Sequence, residues 1–226
     1  MIVYGKQVFF YILEKHKDKI NEIFLAKECE KSEFTKITKC SKKIKKLDFK
    51  NAQSLARGGN HQGFLMDIKE FDFCEFNELK DKNFIVILYN ISDVGNIGAI
   101  IRSAYALGAE GVILATKSVA VDGVIRTSSG AALDMKIALN DDILNMINEL
   151  KQKGFYIYAS ASGGNNIHQI TPKDKKVLIM GSEGFGIPSK ILKKCDECVG
   201  IKMHNDFDSL NVSAAFAILC DRMING

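Results

Sequence analysis

The sequence predicts an α/β protein in which a mostly parallel sheet carries helices on both faces, preceded by a small amino-terminal α/β module. Two observations support this. The apolar runs FIVIL (84–88), GVILA (111–115), FYIYA (155–159), VLIM (177–180) and VGIKM (199–203) read as strands buried on both sides. Between them lie stretches of helical periodicity at 97–107, 141–153, 187–194 and 209–223. Strand alternating with helix is the pattern of a parallel sheet covered on both faces. In the second helix Ile143, Leu144, Ile147 and Leu150 fall on one side, as an amphipathic helix requires.

The amino-terminal part is patterned differently. A helix over Val8–Lys15 leads to a strand at Ile20–Leu25, then to a Lys-rich stretch that is helical or irregular, then to a short helix near Asn51–Ala56. The composition changes across FNELKDKN (76–83). The expected organisation is a first domain at 1–76, a linker at 77–83 and a second domain at 84–226, of ordinary size.

With 46% hydrophobic and 26% charged residues, the chain has enough apolar material for a real core. The first apolar run is broken by Lys6, Gln7 and Glu14, so it is neither a signal peptide nor a spanning helix, and a cytoplasmic location without membrane contact is expected. The net charge of +4 is unevenly placed: residues 1–60 hold 14 Lys/Arg and 7 Asp/Glu, a net of +7. This asymmetry, which includes Lys42, Lys43, Lys45 and Lys46, fits a polyanion such as nucleic acid or a solvated lysine face. Six cysteines are scattered, and the one C-x-x-C, Cys195 and Cys198, has no second pair at zinc-site spacing, so no metal is expected.

Ligands of parallel sheets bind beyond the carboxyl ends of strands, so the segments after the apolar runs matter most. After the first comes ISDVGNIGAIIRSAYALGA (91–109), with Asn96 and Gly98 at a strand-to-helix junction and Arg102 one to two turns on. Helix-start N–H groups beside an Arg make an anion receptor; an Asn cap and a snorkelling Arg are the plain alternative. After VLIM comes GSEGFGIP (181–188), where three glycines in six residues allow close backbone approach and Glu183 can accept from a hydroxyl. After VGIKM, a polar loop leads to a helix begun by Asp208 or Ser209, with Ser209, Asn211 and Ser213 in its first turn and Leu210, Val212, Phe216 and Leu219 anchoring it.

The order N-x-G-x-x-x-R, strand–G-S-E-G-x-G, strand–loop–S-L-N-V-S-x-A resembles the three motifs of the SpoU (TrmH) RNA 2′-O-methyltransferases of the SPOUT superfamily, over about 84–226. VYGKQVFFYIL at the start and NHQGF (60–64) resemble the substrate domain of the RlmB-type subgroup. The resemblance implies a carboxyl-terminal trefoil knot, a homodimer, and S-adenosylmethionine bound in the knot. By position it implies Met180, Gly181, Ile201, Ser209 and Leu210 as cofactor contacts, and Asn96, Arg102, Glu183 and Asn211 as the catalytic or substrate-positioning set. The implied reaction is methylation of a ribose 2′-hydroxyl in structured RNA, guanosine in large-subunit rRNA before tRNA. Two departures, Gly95 and the SSGAALDM segment (128–135), bear on substrate identity.

Two rivals remain at this stage. A nucleotide-binding oxidoreductase would use the glycine loop and Asp206, but the glycines run G-x-x-G-x-G and only one helix follows, leaving no room for a two-halved dinucleotide fold. A non-enzymatic RNA-binding protein has no need of Asn96, Arg102, Glu183 and Asn211 together.

Overall fold

The computed structural model describes residues 1–182, 184–205 and 209–226. They form two compact units, Met1–Asp72 with Ala120–Leu133, and Phe73–Val119 with Asp134–Gly226.

The first unit is built on β1 (Ile2–Tyr4), α1 (Lys6–Lys15), β2 (Ile20–Leu25), α2 (Lys31–Thr38), β3 (Lys43–Lys46), α3 (Phe49–Leu55) and β4 (Phe64–Ile68). Its sheet has the order β1-β4-β2-β3, with β4 antiparallel to both neighbours and β3 parallel to β2. Phe9 and Phe64, both fully buried, pack with ring centroids 5.1 Å apart. The Lys-rich stretch, expected to be helical or irregular, contains both α2 and the edge strand β3. KIKK has one apolar residue, so it shows no alternation, and lysines along an edge discourage pairing with another chain.

The second unit continues with α4 (Phe76–Leu79), β5 (Phe84–Tyr89), α5 (Val94–Leu107) and β6 (Gly111–Ala115). Helix α6 (Val121–Thr127) falls in the first unit, where it packs on β1. Then follow β7 (Ile137–Leu139), α7 (Ile143–Gln152), β8 (Tyr156–Asn166), β9 (Lys176–Met180), α8 (Ser189–Leu192), β10 (Glu197–Gly200) and α9 (Val212–Asn225). The six strands are all parallel, in the order β10-β8-β9-β5-β6-β7. Along β5, Ile85 and Ile87 pack with Ile143, Met146, Ile147 and Leu150 of α7, while Val86 and Leu88 alternate to the other face. Met146 takes the fully buried place in α7 and Leu144 is only partly buried. Helices α5 and α9 pack against each other, burying Ile97, Ile100, Ile101 and Ala104 of one and Phe216, Leu219 and Met223 of the other.

Three boundaries differ from the sequence expectation. Strand β10 stops at Gly200 and does not reach Met203, because its partner β8 ends at Asn166, opposite Gly200. Helix α9 starts at Val212 with Asn211 as its cap, where Ser209 or Asp208 was expected; Asp208 lies outside the described residues. Asn211 competes successfully because its side chain accepts the Ser213 N–H at 3.0 Å. Helix α8 is a single turn entered through Pro188, whose extended backbone keeps Ile187 out of the helix. Among the described residues no helix is long and apolar enough to cross a membrane.

Helix α5 is capped by Asp93, whose carboxylate accepts the Asn96 N–H at 2.7 Å. Asp93→Ala is expected to lower stability by about 1 kcal/mol in urea melts, with Asp93→Asn retaining most of it. An unchanged midpoint for the alanine variant would show that the cap contributes nothing.

Candidate active site

Because every strand of the second unit points the same way, the segments leaving β8, β9 and β10 emerge along one edge of the sheet. There they enclose a cleft of about 1070 Å³. Its walls are Ser160–Gly164 from β8, Met180–Ser182 and Phe185–Ile187 after β9, Val199–Met203 after β10, and Ser209, Leu210, Val212 and Ala215 at the approach to α9.

Absent side chains make this geometry possible. A Cβ on Gly200 would lie 2.7 Å from the Ala161 carbonyl oxygen, and one on Gly164 would lie 2.7 Å from the Val199 carbonyl carbon. Both are backbone atoms that cannot swing aside. The two chains cross there because the β8–β10 ladder skips from the Ala159–Cys198 pair to the Asn165–Val199 pair, so residues 160–164 bulge out and become cleft wall. Gly181 is equally confined: its Cβ would meet Gly186 C and Ile187 Cγ1 at 2.7 Å. The missing side chain at Gly181 thus makes room for the loop's own return, closed by the Gly186 N–H donating to Ser182 O at 2.9 Å.

The structure brings Met180, Gly181, Ile201, Ser209 and Leu210 together in the wall of this one cleft. Asn96 and Asn211 do not line the cleft but meet at its rim, where Asn211 lies between the lining residues Leu210 and Val212. Asn211 Oδ1 accepts from the Ser213 N–H at 3.0 Å and from Ser213 Oγ at 2.6 Å, which turns its Nδ2 outward to donate to Asn96 Oδ1 at 3.0 Å. The Asn96 amide N–H₂ makes no hydrogen bond among the described residues, and it is the donor this network leaves over. Arg102 is exposed on α5. Six residues past Asn96, it lies about 9 Å further along the helix and roughly 120° around it. Glu183 lies outside the described residues, as does Asp206. The bulge SASGG (160–164) is a part of the cleft that sequence reading passed over; two glycines directly after an apolar run were the available signal.

The cleft can host a ligand with polar groups. Ser182 Oγ is buried beside it with no hydrogen-bond partner among the described residues, and the glycines at the crossings let a ligand come close to the main chain of its walls.

A cleft where three loops converge at the sheet's carboxyl edge is the usual place for the site of a parallel α/β unit. An rRNA methyltransferase from Sinorhizobium meliloti, solved with AdoMet, superposes with a TM-score of 0.75 at 21% identity, over 98% of this chain and 85% of that one. AviRb, a SpoU methyltransferase from Streptomyces viridochromogenes solved with AdoMet, gives a TM-score of 0.78 at 19% identity, over 99% of this chain and 89% of that one. At such identities the likeness establishes the fold. Residues 83–221 match the SpoU rRNA Methylase family, and residues 2–74 match the RNA 2′-O ribose methyltransferase substrate-binding family. The chain belongs to the SpoU methylase family. It is 33% identical over 217 residues to an uncharacterised tRNA/rRNA methyltransferase of Borreliella burgdorferi, covering 88% of this chain and 95% of that protein. A Synechocystis protein of the same description is 30% identical over 77% of this chain. The chain spans about half the length of that relative (48%) and of a Mycobacterium ulcerans one (54%).

Burial pushes the Cys195 thiol up to about 12, with the neighbouring Cys198 adding to the shift, and burial does the same to Cys220. A thiol so raised carries almost no thiolate at neutral pH. Among the described residues no three His, Cys, Asp or Glu side chains are grouped to hold a metal. Iodoacetamide at pH 8 is expected to leave Cys195 and Cys220 unlabelled in the folded protein and to label both after denaturation. Rapid labelling of folded Cys195 would show that burial does not hold its thiol protonated.

Proposed function

We propose that this chain transfers a methyl group from S-adenosylmethionine to a ribose 2′-hydroxyl of structured RNA, as a cytoplasmic homodimer that holds the cofactor in a trefoil knot. The observation that carries the reading is the placement of the asparagine pair, Asn96 with Asn211, at the rim of a cleft walled by glycine crossings. The walls suit a cofactor gripped through backbone groups, chiefly of Gly181, Ile201 and Leu210 with Met180 and Ser209 beside them, and the rim suits a substrate oriented by side chains.

The bound cofactor supplies an electrophilic methyl on a positively charged sulfur. Everything else falls to the protein. Asn96 offers its unused N–H₂ to the incoming nucleotide while Asn211 holds Asn96 in place. Arg102 lies about 9 Å further along α5 than Asn96, a spacing at which one nucleotide can present its ribose to one and its phosphate to the other. The planar fork of Arg102 matches a phosphate bidentately, and a guanidinium, which keeps its charge in proteins, makes a poor base. With the cofactor held in the cleft, Asn96 and Arg102 would keep the ribose and its phosphate so that the 2′-hydroxyl oxygen faces the methyl group, and the proton that the hydroxyl gives up would leave to solvent, assisted by the phosphate that Arg102 contacts. Glu183 is assigned to substrate positioning on the family resemblance alone. Holding two reactants in line is the main source of rate in such a site.

The RNA reading draws on the first unit. Several of its lysines are neutralised locally: Lys43 and Lys45 both pair with Glu22, at 3.4 and 2.8 Å, and Lys36 pairs with Glu14 at 3.1 Å. Lys42, Lys46 and Lys50 have no ion pair among the described residues and remain for phosphates. Within RNA, guanosine in large-subunit rRNA is favoured by the likeness of NHQGF (60–64) and the amino-terminal run to the RlmB-type subgroup. Transfer RNA is the second reading, since the curated relatives are described as tRNA/rRNA methyltransferases.

Two variants separate the roles. In single-turnover assays at saturating RNA, Arg102→Ala should lose orders of magnitude in rate with AdoMet affinity nearly unchanged, and Arg102→Lys should recover only part. Gly181→Val should instead abolish AdoMet binding in calorimetry while leaving the fold intact, because it forces the loop off Gly186. Near-normal turnover in Arg102→Ala would remove that residue from the mechanism, and unchanged affinity in Gly181→Val would remove the cleft.

A further inference from the structure

Phe185 is 90% exposed, more than any other large apolar side chain among the described residues. It stands at the tip of the loop after β9, whose base is tied by the Ser182–Gly186 bridge, and it lines the cleft described above. The places where Gly184 and Gly186 would carry a Cβ face open space. A flat group therefore has room beside the ring and against the loop backbone. Cations follow it in the chain: Lys190, Lys193 and Lys194 are exposed on and just after α8, and the exposed Lys202 lines the same cleft. Sites for unpaired RNA combine these elements, an aromatic face for a base and lysines for the phosphates on either side.

We propose that Phe185 stacks on a nucleobase of the RNA substrate at the mouth of the cleft and so anchors the RNA there. This rests on the RNA methyl-transfer reading and adds a positioning residue to it. Phe185 touches a base and none of the reacting atoms. The ring is kept in water in the free protein because its partner arrives with the substrate, and an aromatic ring meets any base through its π-face.

The test is steady-state methyl transfer to total RNA from a strain lacking this protein, which holds the unmodified target whichever RNA carries it. Phe185→Ala should raise KM for RNA by about tenfold, with kcat within about twofold and AdoMet affinity unchanged. Phe185→Trp should behave like the wild type, and Phe185→Leu, apolar without a π-face, should be as poor as alanine. So exposed a side chain leaves little packing to lose, and the melting midpoint should not move. Wild-type KM in the alanine or leucine variant would overturn the proposal. So would a loss confined to AdoMet affinity, or an alanine variant that sediments as a monomer where the wild type is a dimer, which would give the ring to a second copy. A wild-type protein that methylates none of this RNA would instead defeat the parent reading.

Discussion

Gly200 passes Ala161 with no room for a single added methyl group, and Gly164 passes Val199 just as closely. The cleft exists because main chain crosses main chain there. An ordinary parallel strand would have continued its ladder from Ala159 onward. Here the ladder breaks for five residues, the bulge swings out, and β10 rejoins at Asn165. Gly181 extends the same constraint to the neighbouring loop. Crossings of this kind leave peptide groups without ladder partners at one edge of the sheet, where a ligand can satisfy them.

The helix caps extend that order to the rim. Asp93 caps α5 through the Asn96 N–H, Asn211 caps α9 through the Ser213 N–H, and the two asparagines bond to each other. The first two bonds serve folding, since they satisfy N–H groups that a helix start leaves unpaired. The same bonds fix which end of each amide faces where. Capping and site geometry are therefore one set of interactions, and a change that loosens a cap should also loosen the site.

Much of this was legible in the sequence, for identifiable reasons. The strands of the second unit are continuous apolar runs because both sheet faces are covered, and such runs stand out. The three motif segments were legible because glycine, asparagine and proline mark chain reversals. What escaped notice had weaker signals. Strand β3 is mostly lysine, β7 has only three residues, and the bulge at 160–164 looks like the tail of a strand. The start of α9 differs because Ser209 and Asn211 are both good caps by residue type, and the bonds that Asn211 makes to the Ser213 N–H and to Asn96 are visible only in the fold. That Ala120–Leu133 falls in the first unit is a long-range fact with no local signature.

The central claim is a ribose methylation whose chemistry is set at the rim of a glycine-crossed cleft. The most direct test maps ribose 2′-O-methylation across total RNA from cells with and without this protein, and from cells in which it is restored. One ribose, in ribosomal RNA, should lose its methyl group on deletion and regain it on restoration. An unchanged ribose map, or a change confined to base methylation, would contradict the account.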